Sequence, residues 1–285
     1  MNKGRWIIGD IHGCYDTLMA LIAKLPNDDE ITFVGDLIDR GPASRKVLDF
    51  VRDNGYKCVM GNHEEMMVSD IEDFIKFDIP FENGEWYGNG GNTTLAEYKD
   101  SNGKIDFEAL QMDYNWILNL PVVFIDSKAT DNLGRQLLVT HSAIGDNIES
   151  YLNTSKIVSE GINESVSVND MIDYEHTIFN LEMNTMWNRR VPKKIQDKYF
   201  NVFGHTPIDI FAFKSGINEV DAVNGCLTDE LVVVDKDKGY ANIDSGCVYN
   251  KRKYGNFVGE NFRGTLTAIH FPSLKIIQQI GIDYD

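Results

Sequence analysis

Five short segments of the chain carry side chains that bind metal ions. They read G-D-I-H-G at residues 9–13, G-D-L-I-D-R-G at 35–41, G-N-H-E at 61–64, V-T-H-S at 139–142 and G-H-T-P at 204–207. Carboxylate, imidazole and amide oxygen together suit borderline divalent ions such as manganese, iron or zinc, whereas calcium and magnesium sites are built mostly from oxygen. The residue types therefore indicate metal-ion chemistry.

The candidate ligands are sufficient for two ions. Asp10 and His12 lie two positions apart at a strand end and can reach one ion together, and Asp36 can bridge both ions. The full set is Asp10, His12, Asp36, Asn62, His141 and His205. Two ions about 3.5–4 Å apart would clamp a phosphoryl group and hold a hydroxide for in-line attack. We expect manganese, with iron or zinc as alternatives.

Three further residues fit the remaining steps of phosphate-ester hydrolysis. Metal binding lowers the pKa of water from about 15.7 to about 7, so no side-chain nucleophile is needed. His63 follows Asn62 and is placed to protonate the leaving alkoxide, while Asp39 can hydrogen-bond the other ring nitrogen of His63 and fix its tautomer. Arg40 can form paired hydrogen bonds with phosphate oxygens.

Short apolar strands should position these residues. Residues 6–8, 31–34 and 56–60 are apolar runs that each end at a glycine, and helical patterns lie between them. This β-α-β-α-β order predicts parallel strands, which collect ligands at their carboxyl ends. Strands are also predicted at 122–125, 136–140, 199–203, 231–234 and 240–243, with a terminal hairpin over 265–271 and 274–280. Two sheets packed face to face, with helices outside, would bury these runs.

Length and composition favour a single domain over residues 1–285. The chain has 285 residues and is 42% hydrophobic, enough for one sizeable core. Residues 145–184 are polar and lack an apolar period, which leaves two interpretations open: a lid over the site or a surface insertion.

Charge and cysteine spacing restrict the partners and the compartment. The net charge of −17 argues against binding to nucleic acid or to an anionic membrane. The four cysteines are widely spaced, which fits free thiols, and no run of about 18 apolar residues occurs. We expect a cytoplasmic protein whose partner is a phosphoprotein or a small phosphate ester. The sequence predicts no oligomeric state.

The ordered motifs resemble those of the metallophosphoesterases, and specifically the bacterial branch of the phosphoprotein phosphatase family. The resemblance implies a four-layer α/β/β/α sandwich with a dinuclear metal site at the carboxyl ends of the sheet strands. It also implies the roles given above and adds a second phosphate-binding arginine, Arg189, with Arg190 as the alternative. Residues 86–94 are similar to a segment that lies near the site in bacterial members.

The same motifs leave three functions to compare. The first is a serine/threonine protein phosphatase that also hydrolyses small phosphate monoesters. The second is a symmetrical dinucleoside polyphosphate hydrolase, for example of diadenosine tetraphosphate. Relatives of that kind resemble residues 9–14 but typically lack an aspartate at position 39 and carry aspartate in place of Glu64. The third is a non-catalytic metal-binding scaffold, which the intact ligand set and His63 disfavour.

Several conspicuous residues outside the motifs have simpler interpretations. We expect His176 and His270 to be surface or packing residues and Trp86 to pack in the core or at its rim. The segment Asn89-Gly90-Gly91 indicates a turn that needs positive φ.

Overall fold

The computed structural model describes residues 4–144, 165–167, 185–189, 192–207, 232–249 and 264–284. The strands of these residues are β1 (Arg5–Ile8), β2 (Glu30–Phe33), β3 (Lys57–Cys58), β4 (Pro121–Thr130), β5 (Gln136–Thr140), β6 (Ser165–Ser167), β7 (Tyr199–Phe203), β8 (Val233–Asp235), β9 (Tyr240–Asn242), β10 (Thr265–Phe271) and β11 (Lys275–Ile280). The helices are α1 (Tyr15–Ile22), α2 (Ser44–Asp53), α3 (Asn62–Phe77), α4 (Asn92–Ala96) and α5 (Phe107–Ile117), with a 3₁₀ turn at Phe81–Asn83 and a π-type turn at Tyr87–Gly91.

The first sheet has the order β11-β10-β1-β2-β3. Its central strands β1, β2 and β3 are parallel, as the β-α-β-α-β pattern predicts, and the terminal hairpin β10–β11 adds antiparallel to β1. Strand β3 is shorter than the predicted run over 56–60. The N–H of Val59 still bonds to Phe33, but the N–H of Met60 turns away to the carbonyl of Pro121 at the second sheet.

The second sheet has the order β6-β4-β5-β7-β9-β8. Strands β5, β7 and β9 run parallel, while β4, β6 and β8 pair antiparallel with their neighbours. Predicted and observed bounds agree for β5 and β7. Because these two strands are adjacent and parallel, the residues that follow them, His141 and His205, leave the sheet at the same edge.

The two sheets pack through side chains that alternate along their strands. Ile7 and Val34 from the first sheet meet Phe124, Val139 and Val202 from the second in one buried cluster. The opposite faces of β1 and β2, with Trp6, Ile8 and Phe33, pack against the apolar sides of the helices. Each such fully buried side chain contributes about 1.5–3 kcal/mol. The α/β class with two packed mixed sheets is thus confirmed.

Some predictions fall on residues that are not described. Most of the predicted 145–184 insertion lies outside the described residues. The single-domain extent stays a prediction. Cys14, Cys58 and Cys247 are free and buried, as expected, whereas Cys226 lies outside the described residues. Among the described helices, none has the length and apolar character needed to cross a membrane.

Candidate metal and phosphate site

The loops after β1 and β2 are joined by backbone hydrogen bonds at the carboxyl edge of the first sheet. The N–H groups of Ile11 and His12 both donate to the carbonyl of Asp36, at 3.0 and 2.8 Å. His12 (φ 49°) and Asp36 (φ 50°) adopt left-handed backbone conformations that are uncommon for residues other than glycine. Such conformations cluster at functional sites, where the surrounding structure holds them in place.

Glu64 joins the loops after β2 and β3. Its Oε2 accepts from the N–H of Asp36 at 2.8 Å and of Gly61 at 2.9 Å, and its Oε1 accepts from the N–H of Leu37 at 2.8 Å. Burial and the nearby Asp36 carboxylate raise the pKa of Glu64 to about 8, against the effect of these donors. Both oxygens of the buried carboxylate accept from backbone N–H groups, so Glu64 holds the loops that carry the candidate ligands.

Asp36 lies at the centre of the candidate ligands. Its Oδ2 is 3.5 Å from Nε2 of His12, and its Oδ1 is 3.4 Å from Nε2 of His141. Two triads have ligand atoms within 4.8 Å of one another: His12, Asp36 and His63, and Asp10, Asp36 and His141. Asp36 belongs to both triads, and its bridging role stays a prediction. The grouping differs from the expected Asp10–His12 pair, since Asp10 groups with His141 here.

The other predicted ligands meet beside His141. Oδ1 of Asn62 is 2.9 Å from Nε2 of His141 and 2.9 Å from Nδ1 of His205, and the two ring nitrogens are 3.2 Å apart. The backbone N–H of His205 donates to both oxygens of Asp10, at 3.0 and 3.2 Å. All six predicted ligands are therefore buried together at one edge of the two sheets.

The protonation states of the histidines fit a bound cation. Nδ1 of His12 and Nδ1 of His141 each lie within 2.9 Å of a backbone carbonyl, of Ile38 and Val34, so each Nδ1 must carry the proton. Burial lowers the pKa of both rings, which keeps Nε2 as a lone pair. The lone pair of His141 then faces acceptor oxygens of Asp36 and Asn62, whereas that of His12 faces Asp36 and also accepts from Nη1 of Arg40. Acceptors directed at one another in a buried site require a positive charge between them, and these residues therefore fit divalent ions.

The buried carboxylates fit the same interpretation. Burial, with Asp244 and Asp36 nearby, raises the pKa of Asp10 well above its usual range. Burial likewise raises the pKa of Asp244 to about 7. Asp36 behaves differently, because the adjacent His141, His63 and His12 overcome the effect of burial and lower its pKa. Burial and His141 lower the pKa of His205 to about 2, so this ring is also neutral.

His63 and Asp39 form the predicted pair. Nδ1 of His63 lies 2.7 Å from Oδ2 of Asp39, and its Nε2 lies 4.0 Å from Oδ2 of Asp36, directed into the site. Trp86 donates from Nε1 to both oxygens of Asp39, at 2.9 and 3.0 Å, and Thr94 donates from Oγ1 to Oδ1 at 2.7 Å. Trp86 is buried as predicted, but packing is only part of its role.

Arg40 extends into the site, whereas Arg189 lies at its margin. Nη1 of Arg40 donates to Nε2 of His12 at 2.8 Å and to the hydroxyl of Tyr249 at 3.3 Å. Arg189 is exposed, and its Nη1 donates to Thr206 at 3.3 Å. The alternative, Arg190, lies outside the described residues.

Sequence reasoning assigned no site role to several residues that contact this edge. The charge of Asp244, after β9, helps to raise the pKa of Asp10, and Tyr249 accepts a hydrogen bond from Arg40. Tyr284 donates to the carbonyl of Arg40 at 3.1 Å. The D-S-G sequence at residues 244–246, directly after a predicted strand, was a sequence signal for Asp244. The sequence around Tyr249 and Tyr284 gave no such signal.

The remaining predictions have mixed outcomes. Gly90 has the expected positive φ of 114°, but Gly91, at φ −62°, does not need it. His270 packs against Trp6 and lies 3.4 Å from Asp29, in agreement with a packing role. His176 lies outside the described residues.

Two relatives of known name are similar to part of this chain. Serine/threonine-protein phosphatase 1 of Salmonella typhimurium is 45% identical over 64 residues, 21% of this chain and 30% of the relative. The symmetrical bis(5′-nucleosyl)-tetraphosphatase of Erwinia tasmaniensis is 30% identical over 144 residues, 49% of this chain and 44% of the relative. The match thus spans less than half of either relative.

A solved structure provisionally named as a diadenosine tetraphosphatase shares the fold. It is 16% identical, has a TM-score of 0.50, and the alignment covers 99% of this chain and 95% of that chain. The model of the calcineurin-like phosphoesterase family matches residues 5–226, a range that contains all six candidate ligands. The chain therefore belongs to the calcineurin-like phosphoesterase family.

Proposed function

We propose that this protein is a metal-dependent phosphoesterase that hydrolyses phosphate monoesters, and that its substrates are phosphoserine and phosphothreonine in proteins. Family membership supports the reaction class. The observation that carries the proposal is the contact between Asp39 and His63. Nδ1 of His63 lies 2.7 Å from Oδ2 of Asp39, both side chains are buried beside the candidate ligands, and Arg40 directly follows Asp39 in the sequence.

The residues proposed to hold two divalent ions are Asp10, His12, Asp36, Asn62, His141 and His205. Ions bound there would lower the pKa of water to about 7 and neutralise charge on the phosphate. Manganese is the proposed metal, with iron or zinc as alternatives. The net charge of −17 makes this local positive charge necessary, because the long-range field of the chain repels an anionic ester.

The protein's own groups would bind the ester and move a proton. The Arg40 guanidinium can turn from Nε2 of His12 and Tyr249 to form paired hydrogen bonds with two phosphate oxygens. His63 would deliver a proton from Nε2 to the leaving oxygen, a step worth about 10²–10⁴ in rate. Asp39 holds the ring by Nδ1 and fixes its orientation.

One observation favours a second function. The tetraphosphatase relative matches more of the chain than the phosphatase relative does, 49% against 21%. Two sequence differences point the other way, the presence of Asp39 and of Glu64. Because Glu64 is buried against backbone N–H groups, it cannot contact substrate, and the preference for a protein phosphatase rests on Asp39.

The test compares three substrates with the same enzyme. Rates on a phosphoserine peptide, p-nitrophenyl phosphate and diadenosine tetraphosphate are measured with added Mn²⁺, for wild type and His63→Asn. We expect peptide turnover that EDTA abolishes and that His63→Asn lowers at least about 10²-fold. A large preference in kcat/KM for the dinucleotide would transfer the function to the second candidate. No turnover on any substrate would favour the scaffold.

A further inference from the structure

Residues 86–94 contact both members of the Asp39–Arg40 pair. Trp86 and Thr94 donate to the carboxylate of Asp39, and the carbonyl of Gly90 accepts from the N–H of Arg40 at 3.2 Å. Asp39 and Arg40 both have positive φ, 74° and 66°. The segment therefore holds two consecutive residues in a backbone conformation that they do not readily adopt alone.

The donors around Asp39 determine the plane of its carboxylate. Thr94 binds Oδ1, His63 binds Oδ2, and Nε1 of Trp86 lies between the two oxygens at 2.9 and 3.0 Å. The N–H of Asp39 donates in turn to Oγ1 of Thr94 at 3.0 Å. Because the carboxylate plane is fixed, the hydrogen bond between Oδ2 and Nδ1 of His63 fixes the orientation of the imidazole ring. In that orientation Nε2 of His63 faces the site.

The two glycines of the segment allow this approach. A Cβ on Gly90 would lie 2.7 Å from Cγ of Arg40, and one on Gly91 would lie 2.5 Å from Nε1 of Trp86. Both distances are too short for real atoms, so any larger residue would displace the indole or the arginine. The N-G-G sequence at 89–91 is explained by contact with Arg40 and Trp86, in addition to the turn.

A direct role in substrate binding does not fit the burial of these side chains. Trp86 and Thr94 are each 0% exposed, as is Asp39. They can act on the reaction only through Asp39 and the histidine that it holds.

We propose that Trp86 and Thr94 are positioning residues for proton transfer, which hold the Asp39 carboxylate so that His63 delivers its proton along one direction. The inference rests on the proposed function. It predicts an effect confined to esters whose leaving group needs a proton, because binding and attack do not involve these side chains.

The experiment uses two substitutions that each remove a donor to the Asp39 carboxylate, Trp86→Phe and Thr94→Val; the second also removes the acceptor for the N–H of Asp39. Thr94→Ser keeps the hydroxyl and serves as the matched control. Trp6→Phe controls for loss of a buried indole, because Trp6 is 1% exposed and its Nε1 has no hydrogen-bond partner among the described residues. The substrates are a phosphoserine peptide, whose alkoxide must be protonated, and p-nitrophenyl phosphate, whose leaving group needs no proton at neutral pH.

Each donor variant should lower kcat for the peptide about tenfold, part of the general-acid contribution of about 10²–10⁴. Its kcat for p-nitrophenyl phosphate should stay within about twofold of wild type, and KM should be unchanged for both. Both controls should match wild type. In the metal-free protein, the NMR signal of the His63 Nδ1–H should shift in the donor variants and return in Thr94→Ser.

Equal losses on both esters, or no loss on the peptide, would overturn the inference and leave the proposed function intact. An unchanged His63 signal in both donor variants would also overturn it. Absence of turnover by wild type on both esters would overturn the proposed function and this inference together. If Trp86→Phe fails to fold, the comparison of Thr94→Val with Thr94→Ser decides the question alone.

Discussion

Replacing Glu64 should destabilise the fold and the site together, because its carboxylate joins two of the loops that carry candidate ligands. It accepts from the N–H groups of Asp36, Leu37 and Gly61 at 2.8–2.9 Å in a fully buried position. In Glu64→Ala these three donors lose their acceptor. A buried donor left unpaired costs about 1–3 kcal/mol, which gives about 3–9 kcal/mol for the three.

Because the loops can relax and water can enter, we expect a loss near the low end of this range, about 4 kcal/mol in the free energy of unfolding. That is a large part of the total stability of a typical protein, about 5–15 kcal/mol. Glu64→Gln keeps one acceptor oxygen and turns an NH₂ toward a donor, so we expect about 2 kcal/mol. Glu72→Gln is the control on the same helix: Glu72 pairs with Lys76 at the surface, and loss of this exposed pair should change the free energy of unfolding little.

Urea unfolding followed by tryptophan fluorescence measures these differences, with EDTA present because bound metal would stabilise the folded state by mass action. A loss below about 1 kcal/mol for Glu64→Ala, or equal losses for the Glu64 and Glu72 variants, would refute the reasoning.

Three further predictions concern the site. His63→Asn should still bind two ions per chain by elemental analysis while losing at least about 10²-fold in phosphoserine turnover; loss of an ion would make His63 a ligand. Arg40→Lys should lower kcat/KM at least about tenfold, because lysine cannot reproduce paired hydrogen bonds. Arg189→Lys should have a smaller effect, since Arg189 is exposed, and equal effects would contradict the assignment. EDTA should lower the Tm and Mn²⁺ should restore it, because a ligand at a hundredfold excess over its Kd stabilises the folded state by about 2.7 kcal/mol. An unchanged Tm would argue against a metal among the buried carboxylates.

The strand ends that carry the candidate ligands could be predicted from the sequence. Each early strand is an apolar run stopped by glycine, and the bounds of β5 and β7 agree with those predicted from their apolar patterns. Because the loops that follow parallel strands lie at one edge of a sheet, knowledge of the strands was sufficient to place Asp10 near Asp36. His141 follows a strand of the second sheet and joins them through the packing of the two sheets. The Asp39–His63 contact followed from the same convergence.

The support around these residues could not be predicted, because it depends on contacts between distant parts of the chain. Trp86 is 47 positions from Asp39, and the residues next to it in the sequence give no signal that its N–H has a partner. The C-terminal residues are a second example. Asp283 accepts from the backbone N–H groups at the start of α1, and Tyr284 donates to Arg40, 244 positions away. Neither contact has a local sequence pattern.

The most direct test is the rate of phosphoserine-peptide hydrolysis by metal-free protein as Mn²⁺ is added, with bound metal measured in the same samples. We predict no turnover without metal and a rate that reaches its maximum when two ions are bound per chain. In Asp36→Asn, which weakens the shared ligand, both the bound metal and the rate should fall. Full activity in the metal-free protein, or two bound ions with no hydrolysis of any phosphate ester, would contradict a metal-dependent phosphoesterase.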